Sequence, residues 1–273
     1  MRKKAVFWLL AITIVWGSTF PLQKIALVDV SPLVYISLRF WIAFLFSFFL
    51  WKKRNFKYAF ILGLVLSIGY ITQTWGLKLT TASKSGFITS LYIPLVPFFS
   101  YMFEREKVTK LQFLGFVLSM IGFYMISGGI DGINVGDFLT LICAVSFALH
   151  IVLITVYSKK VEETSLLSYQ FLTVAVINTL LSLNSNWNLT VMAVSVGIYT
   201  GIAASVLVIL VQLKYQKIVG SNATALIFSG EPVFASIFSY YFLNERLSEF
   251  QFAGAVLLII AVILASLKRS DEI

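Results

Sequence analysis

The chain has 273 residues, of which 59% are hydrophobic and 12% charged, with a mean hydropathy of +0.91 and a formal net charge of +9. Soluble domains carry about 25% charged and 45–50% apolar residues, so the composition excludes an ordinary water-soluble domain. A single cysteine, Cys143, and a single histidine, His150, exclude an intrachain disulfide, a Cys-based metal site and a His cluster.

The first apolar run, 5–24, follows Met1-Arg2-Lys3-Lys4, as the core of a signal peptide would. No A-x-A-like cleavage site follows, and polar Trp16-Gly17-Ser18-Thr19 lies inside it, so it is expected to be a retained helix. The second span, 32–51, buries Arg39 about seven residues in, roughly 10 Å deep at 1.5 Å per residue. The third, 58–77, carries Tyr70, Gln73 and Trp75. The fourth, 85–103, opens at Lys84 beside Ser83 and Ser85 and contains Tyr92, Pro94 and Pro97. The fifth, 110–128, runs into a break at Gly128-Gly129-Ile130-Asp131-Gly132. The sixth, 136–157, holds Cys143 and His150, and the seventh, 165–183, holds Tyr169 and Gln170. The eighth, 191–213, contains the small-residue stripe Gly197-x-x-x-Gly201-x-x-x-Ser205, then Gln212. The stripe permits close helix contact, for internal packing first, or for sliding or dimerisation. The ninth, 222–243, carries Glu231-Pro232, and the tenth is 249–267. Each run suits a bilayer core, which needs about 20 apolar residues per helix. Pro21, Pro94, Pro97 and Pro232 are expected to kink their helices.

Lys and Arg divide unevenly between alternate loops. Arg2, Lys3, Lys4, Lys52, Lys53, Arg54, Lys57, Arg105, Lys107, Lys110, Lys159, Lys160, Lys214, Lys217, Lys268 and Arg269 share one side, 16 of 21. The other side has Lys24, Lys78, Lys84 and Arg246, near helix ends; snorkelling accounts for the three lysines, with a substrate role as the alternative, Lys84 first. The positive-inside rule then puts both termini in the cytoplasm, which demands an even number of spans. Basic residues arranged this way orient a membrane protein, so no nucleic-acid partner is expected.

Phe99-Ser100-Tyr101-x-Phe103-x-x-Glu106 recurs as Phe238-Ser239-Tyr240-x-Phe242-x-x-Glu245, and Gln112-Phe113-x-Gly115-x-Val117-Leu118 as Gln251-Phe252-x-Gly254-x-Val256-Leu257. Both recur at one offset of 139 residues. The expected fold is an all-α integral membrane protein of ten transmembrane helices, formed by two five-helix repeats, 1–130 and 131–273. Five is odd, so the second repeat enters the membrane from the opposite side. Inverted repeats are a signature of secondary transporters working by alternating access.

Trp16-Gly17-Ser18-Thr19-Phe20, Leu38-Arg39-Phe40, Glu231-Pro232, Asn244-Glu245-Arg246-Leu247 and Gln251-x-x-Gly254 resemble the drug/metabolite transporter superfamily in its ten-helix EamA-type branch. The resemblance covers nearly the whole chain. It implies transport of a small metabolite, such as an amino acid or related amphipathic compound, through a central cavity in the cell (inner) membrane. Export is the first expectation, with an uptake permease or a facilitative, channel-like carrier as the alternative. The first repeat departs from the family's Glu-Pro pattern, with Tyr92-Ile93-Pro94 instead.

Charged groups inside a span are costly in lipid, about 2.5–3.5 kcal/mol each on insertion scales, and usually face a cavity or a partner. Glu231 is the candidate for proton coupling or for a substrate amine, against an ion pair with Arg39. Arg39 is the candidate for a substrate carboxylate, which suits its fork, against structural pairing or snorkelling. The two are expected to share one cavity between the halves. Trp16, Tyr70, Gln73, Tyr92, His150 and Gln212 complete the substrate-binding candidates, with Trp75, Tyr169 and Gln170 in the same chemical class; each is also open to ordinary packing. No H-E-x-x-H, nucleotide loop or carboxylate cluster is present, so no enzyme, metal or cofactor is expected. The expected partners are a small-molecule solute and the lipid bilayer, with the protein a monomer or homodimer.

Overall fold

The computed structural model describes residues 1–51, 53, 55–105, 109–129 and 132–266, apart from the side chains of Gln112, Val262, Ala265 and Ser266. Among the residues singled out above, Lys52, Arg54, Glu106, Lys107, Ile130, Asp131, Lys268 and Arg269 lie outside this set, as does the end of the tenth span, Leu267.

The described residues form helices and no strand. They are α1 (Arg2–Ala26), α2 (Pro32–Leu50), α3 (Phe56–Leu79), α4 (Ala82–Thr89), α5 (Tyr92–Glu104), α6 (Lys110–Ile126) and α7 (Val135–Ser158). After a 3-10 turn at Glu163–Leu166 come α8 (Leu167–Leu181), α9 (Val191–Tyr199), a π-helical segment (Thr200–Leu207), α10 (Val208–Val219), α11 (Ser221–Ile227), α12 (Gly230–Leu243) and α13 (Glu249–Ser266). In hydrocarbon a backbone must satisfy its own polar groups, which is why such apolar runs become helices. Their starts are written in the sequence. Ser31, Asn55, Thr81 and Thr190 each accept a backbone N–H three residues on, and Asn134 forms a reciprocal capping box with Asp137.

Eight helical stretches are long and apolar enough to cross a membrane. Two shorter apolar helices, Phe113–Ile126 and Glu249–Ala261, occupy the fifth and tenth expected spans. The 17 residues of α6 extend roughly 26 Å at 1.5 Å per residue, slightly less than the hydrocarbon thickness of about 30 Å. The surface is apolar, with Phe49, Phe113, Leu180, Val191 and Tyr241 exposed, while Arg39, Gln170, Gln212 and Gln216 are buried. This polarity is that of a chain solvated by lipid.

The fourth and ninth spans are each in two pieces, where kinks were expected. Pro94 has no N–H for the Ser90 carbonyl, which takes the N–H of Ile93 at 2.9 Å. Pro232 likewise leaves the Phe228 carbonyl to the N–H of Glu231, also at 2.9 Å. The helix tightens for one turn at each place and then restarts. Pro232 therefore stands in the first turn of α12, where a missing donor is tolerated best. Both second pieces end on a left-handed residue, Arg105 (φ 62°) and Asn244 (φ 53°), at equivalent places of the sequence repeat.

Within the bundle α6 lies along α13, α3 along α7 and α8, and α2 along α8, while α1 packs on α12 and α5 on α7. The small-residue stripe serves internal packing. A Cβ at Gly201 would lie 2.8 Å from the Arg39 carbonyl oxygen, and one at Gly197 2.9 Å from Leu38. At the exposed α2–α3 turn Lys53 pairs with Glu162; their hydrogen bond holds the lysine above and the glutamate below its ordinary pKa.

Three lysines expected at the lipid interface are tied into the protein. Lys24 Nζ donates to the carbonyls of Leu77, Lys78 and Thr80 at the end of α3, and Lys78 Nζ to that of Val30. Lys84 is buried, 2.9 Å from Asp137 and bonded to the carbonyls of Ser127 and Gly132. Snorkelling is thus the wrong account for Lys84. Its ammonium is neutralised inside the bundle, so it does not need to reach the surface.

Candidate functional site

The broken spans meet at mid-bundle beside a cavity enclosing about 500 Å³ of empty space, counting its open end. All the candidate residues come together on its wall: Trp16, Arg39, Tyr70, Gln73, Tyr92, His150, Gln212 and Glu231. Thr19, Leu66, Phe147, Ile151, Ile209 and Phe228 complete it. Trp75, Tyr169 and Gln170 do not line it. Trp75 is partly exposed, Tyr169 packs edge-on against Phe56, and Gln170 lies behind His150.

Glu231 is carried into the cavity at the restart of α12. Its Oε2 accepts the Tyr92 hydroxyl at 3.0 Å, and Oε1 has no bond to a described residue. Arg39 and Glu231 line the same space, but no carboxylate of a described residue pairs with Arg39. Its Nε donates to Ser205 Oγ at 2.9 Å, Nη1 to Gln23 Oε1 at 3.3 Å and Nη2 to the Tyr70 hydroxyl at 3.1 Å. The guanidinium also sits 4.4 Å from the centre of the Tyr70 ring and 5.3 Å from that of Phe40. Three of its five N–H groups are thus engaged by neutral acceptors, which fixes the fork and leaves the charge unneutralised.

The π-helical segment (Thr200–Leu207) makes this arrangement possible, and sequence reasoning did not anticipate it. Its wider turn lets Ser205 Oγ donate five residues back to Thr200 O at 2.9 Å while accepting from Arg39. It also leaves the Ala204 carbonyl free to accept the Trp16 indole N–H at 3.0 Å. Trp16 then stands edge-on to Phe228, with ring centres 5.0 Å apart. Ser205, the last member of the small-residue stripe, was the one available signal.

His150 Nε2 lies 3.2 Å from Gln170 Oε1, so that nitrogen is the donor. Gln73 Nε2 reaches Thr89 Oγ1 at 3.5 Å, and Gln212 Nε2 donates to Gln216 Oε1 at 2.8 Å. Among the described residues no group of three His, Cys, Asp or Glu side chains is placed to hold a metal ion. The cavity therefore offers one carboxylate, one guanidinium with spare donors, aromatic faces, and amides. This is chemistry for binding a small amphipathic molecule with charged ends.

The family model described as the EamA-like transporter family matches residues 3–128 and again residues 134–267. An uncharacterized transporter of Archaeoglobus fulgidus is 35% identical over 269 residues, covering 98% of this chain and 87% of its own. The uncharacterized transporter YyaM of Bacillus subtilis is 27% identical over 281 residues, covering 94% and 92% respectively. A solved crystal structure superposes with a TM-score of 0.74 over 98% of this chain and 99% of its own; at 17% identity that likeness concerns the fold alone.

Proposed function

The chain belongs to the EamA-like transporter family of multi-pass membrane proteins, and on that premise we propose that it is a secondary transporter exporting a small amphipathic metabolite, such as an amino acid, by alternating access. The observation that carries this reading is the convergence of Arg39 and Glu231, with aromatic and amide side chains, on one mid-bundle cavity. Arg39 contacts the solute's carboxylate through its two spare N–H groups, and Glu231 takes its amine or a coupling proton.

Alternating access needs two halves that can exchange packings. Ten spans in two inverted repeats, 1–130 and 131–273, provide them. Several features support this arrangement: the offset of 139 residues, the two separate family matches, and the left-handed caps at Arg105 and Asn244. The packing of α6 on α13 and of α2 on α8, each helix against its own counterpart, adds to them. The Lys/Arg asymmetry supports a cell-membrane topology with both termini cytoplasmic.

The test is transport in proteoliposomes, after metabolite profiling of cells with and without overexpression has named the solute. Concentrative, outward-directed flux that collapses when the proton gradient is dissipated is the expected result. Passive flux insensitive to the gradient would overturn the coupled mechanism.

A further inference from the structure

A buried file of polar side chains runs from the cavity wall to Glu104 at the end of α5. Gln212 Nε2 donates to Gln216 Oε1 at 2.8 Å, and Gln216 Nε2 donates to Thr155 Oγ1 at 2.7 Å and to the Ile151 carbonyl at 2.5 Å. Thr155 Oγ1 lies 2.7 Å from Ser221 Oγ, and Ser221 Oγ 2.8 Å from Glu104 Oε2. Gln212, Gln216, Thr155 and Ser221 are all at most 3% exposed.

The direction of every bond in the file is determined. The Glu104 carboxylate only accepts, so Ser221 gives it its one proton. Thr155 must then donate to Ser221, which leaves Thr155 to accept from Gln216. The Gln216 amide cannot be reversed, because its oxygen would face the Ile151 carbonyl oxygen at 2.5 Å. Its Oε1 therefore faces Gln212, which can answer only with its NH2 group. Gln212 Oε1 is turned away from the file, and it has no donor among the described residues. A buried acceptor without a donor is costly, and such groups in native proteins need a reason. Here the residue lines the cavity.

We infer that Gln212 Oε1 is the acceptor for an N–H or O–H group of the cargo, and that Gln216 is the positioning residue that aims it. The inference rests on the cavity being the cargo site and deepens that reading: the cargo is a molecule with a hydrogen-bond donor, not merely one with a cationic end. Glu104, outside the cavity, sets the polarity that is felt inside it.

The test compares L-phenylalanine with N,N,N-trimethyl-L-phenylalanine, which keeps the positive charge and loses every N–H. Both are assayed as transported solutes in proteoliposomes, with the wild type and the double variant Gln212→Leu/Gln216→Leu. The wild type is expected to favour phenylalanine by roughly tenfold or more, because a site built to bond a donor rejects an analogue lacking it. The double variant should reduce that preference to about twofold. The bulk of the trimethyl group penalises both proteins alike, so only the part of the preference that disappears counts. An unchanged preference overturns the inference.

A second measurement does not need the cargo. Gln212→Leu alone exchanges one orphan acceptor, Gln212 Oε1, for another, Gln216 Oε1, and leaves the bonds to Thr155 and Ile151 in place, so its melting temperature in detergent should equal the wild type's. A lower melting temperature would make the file a structural brace and overturn the inference. If the wild type moves neither compound, the amino-acid reading fails and the melting comparison alone decides the role of Gln212.

Discussion

Tyr92 donates its hydroxyl to Oε2 of Glu231 at 3.0 Å, and the two residues are 139 positions apart. That is the offset at which the Phe-Ser-Tyr and Gln-Phe-x-Gly motifs recur, so the bond joins two positions that the sequence repeat makes equivalent. The missing symmetry of the Glu-Pro pattern thereby gains a physical meaning. Tyr92, standing where the sequence repeat would put a carboxylate, supplies the donor that holds the Glu231 carboxylate in place.

Glu231→Gln is expected to abolish flux driven by a proton gradient in proteoliposomes, since an amide carries no exchangeable charge there. Tyr92→Phe, which removes only the hydroxyl, should slow transport while leaving it coupled. Wild-type coupling in Glu231→Gln would remove this residue from the mechanism.

Arg39→Lys retains the charge but cannot reach Ser205, Gln23 and Tyr70 from three separate nitrogens. Buried acceptors left without their donor cost about 1–3 kcal/mol. The variant should melt below the wild type and lose transport. Unaltered melting and flux would show that the fork geometry is irrelevant.

Gly17 is where α1 approaches α12 most closely beside the site. A Cβ there would lie 2.5 Å from the Phe234 Cβ and 3.0 Å from the Glu231 carbonyl oxygen. Gly17→Ala must push the two helices apart, at about 1–3 kcal/mol, and displace the restart of α12. Reduced flux together with a lower melting temperature is the expected outcome; a silent substitution would mean that the contact is loose.

The buried Lys84–Asp137 pair joins α4 to the start of α7, and Asp137 also accepts the Thr80 hydroxyl at 2.7 Å. Lys84→Met strands a fully buried carboxylate, which costs about 3–5 kcal/mol. Adding Asp137→Asn should recover part of this in thermal unfolding. If Lys84→Met alone melts like the wild type, the pair contributes nothing to stability.

The sequence by itself determined eight helices of membrane-spanning length and two shorter apolar ones, because apolar runs have no other stable form in lipid, and five of the helix starts, because Ser31, Asn55, Thr81, Asn134 and Thr190 cap them locally. It also identified the ionisable residues worth testing, since a charge in hydrocarbon is costly wherever it sits. It could not tell Trp16 from Trp75 or Tyr70 from Tyr169. A membrane helix that is apolar all round has no polar face to reveal which side turns inward. Only tertiary structure decided that: it brought Arg39 to Ser205, Trp16 to Ala204 and Tyr92 to Glu231, contacts spanning 166, 188 and 139 residues. These bonds form between helices distant in the chain, and two of them depend on a widened helical turn that local composition does not encode.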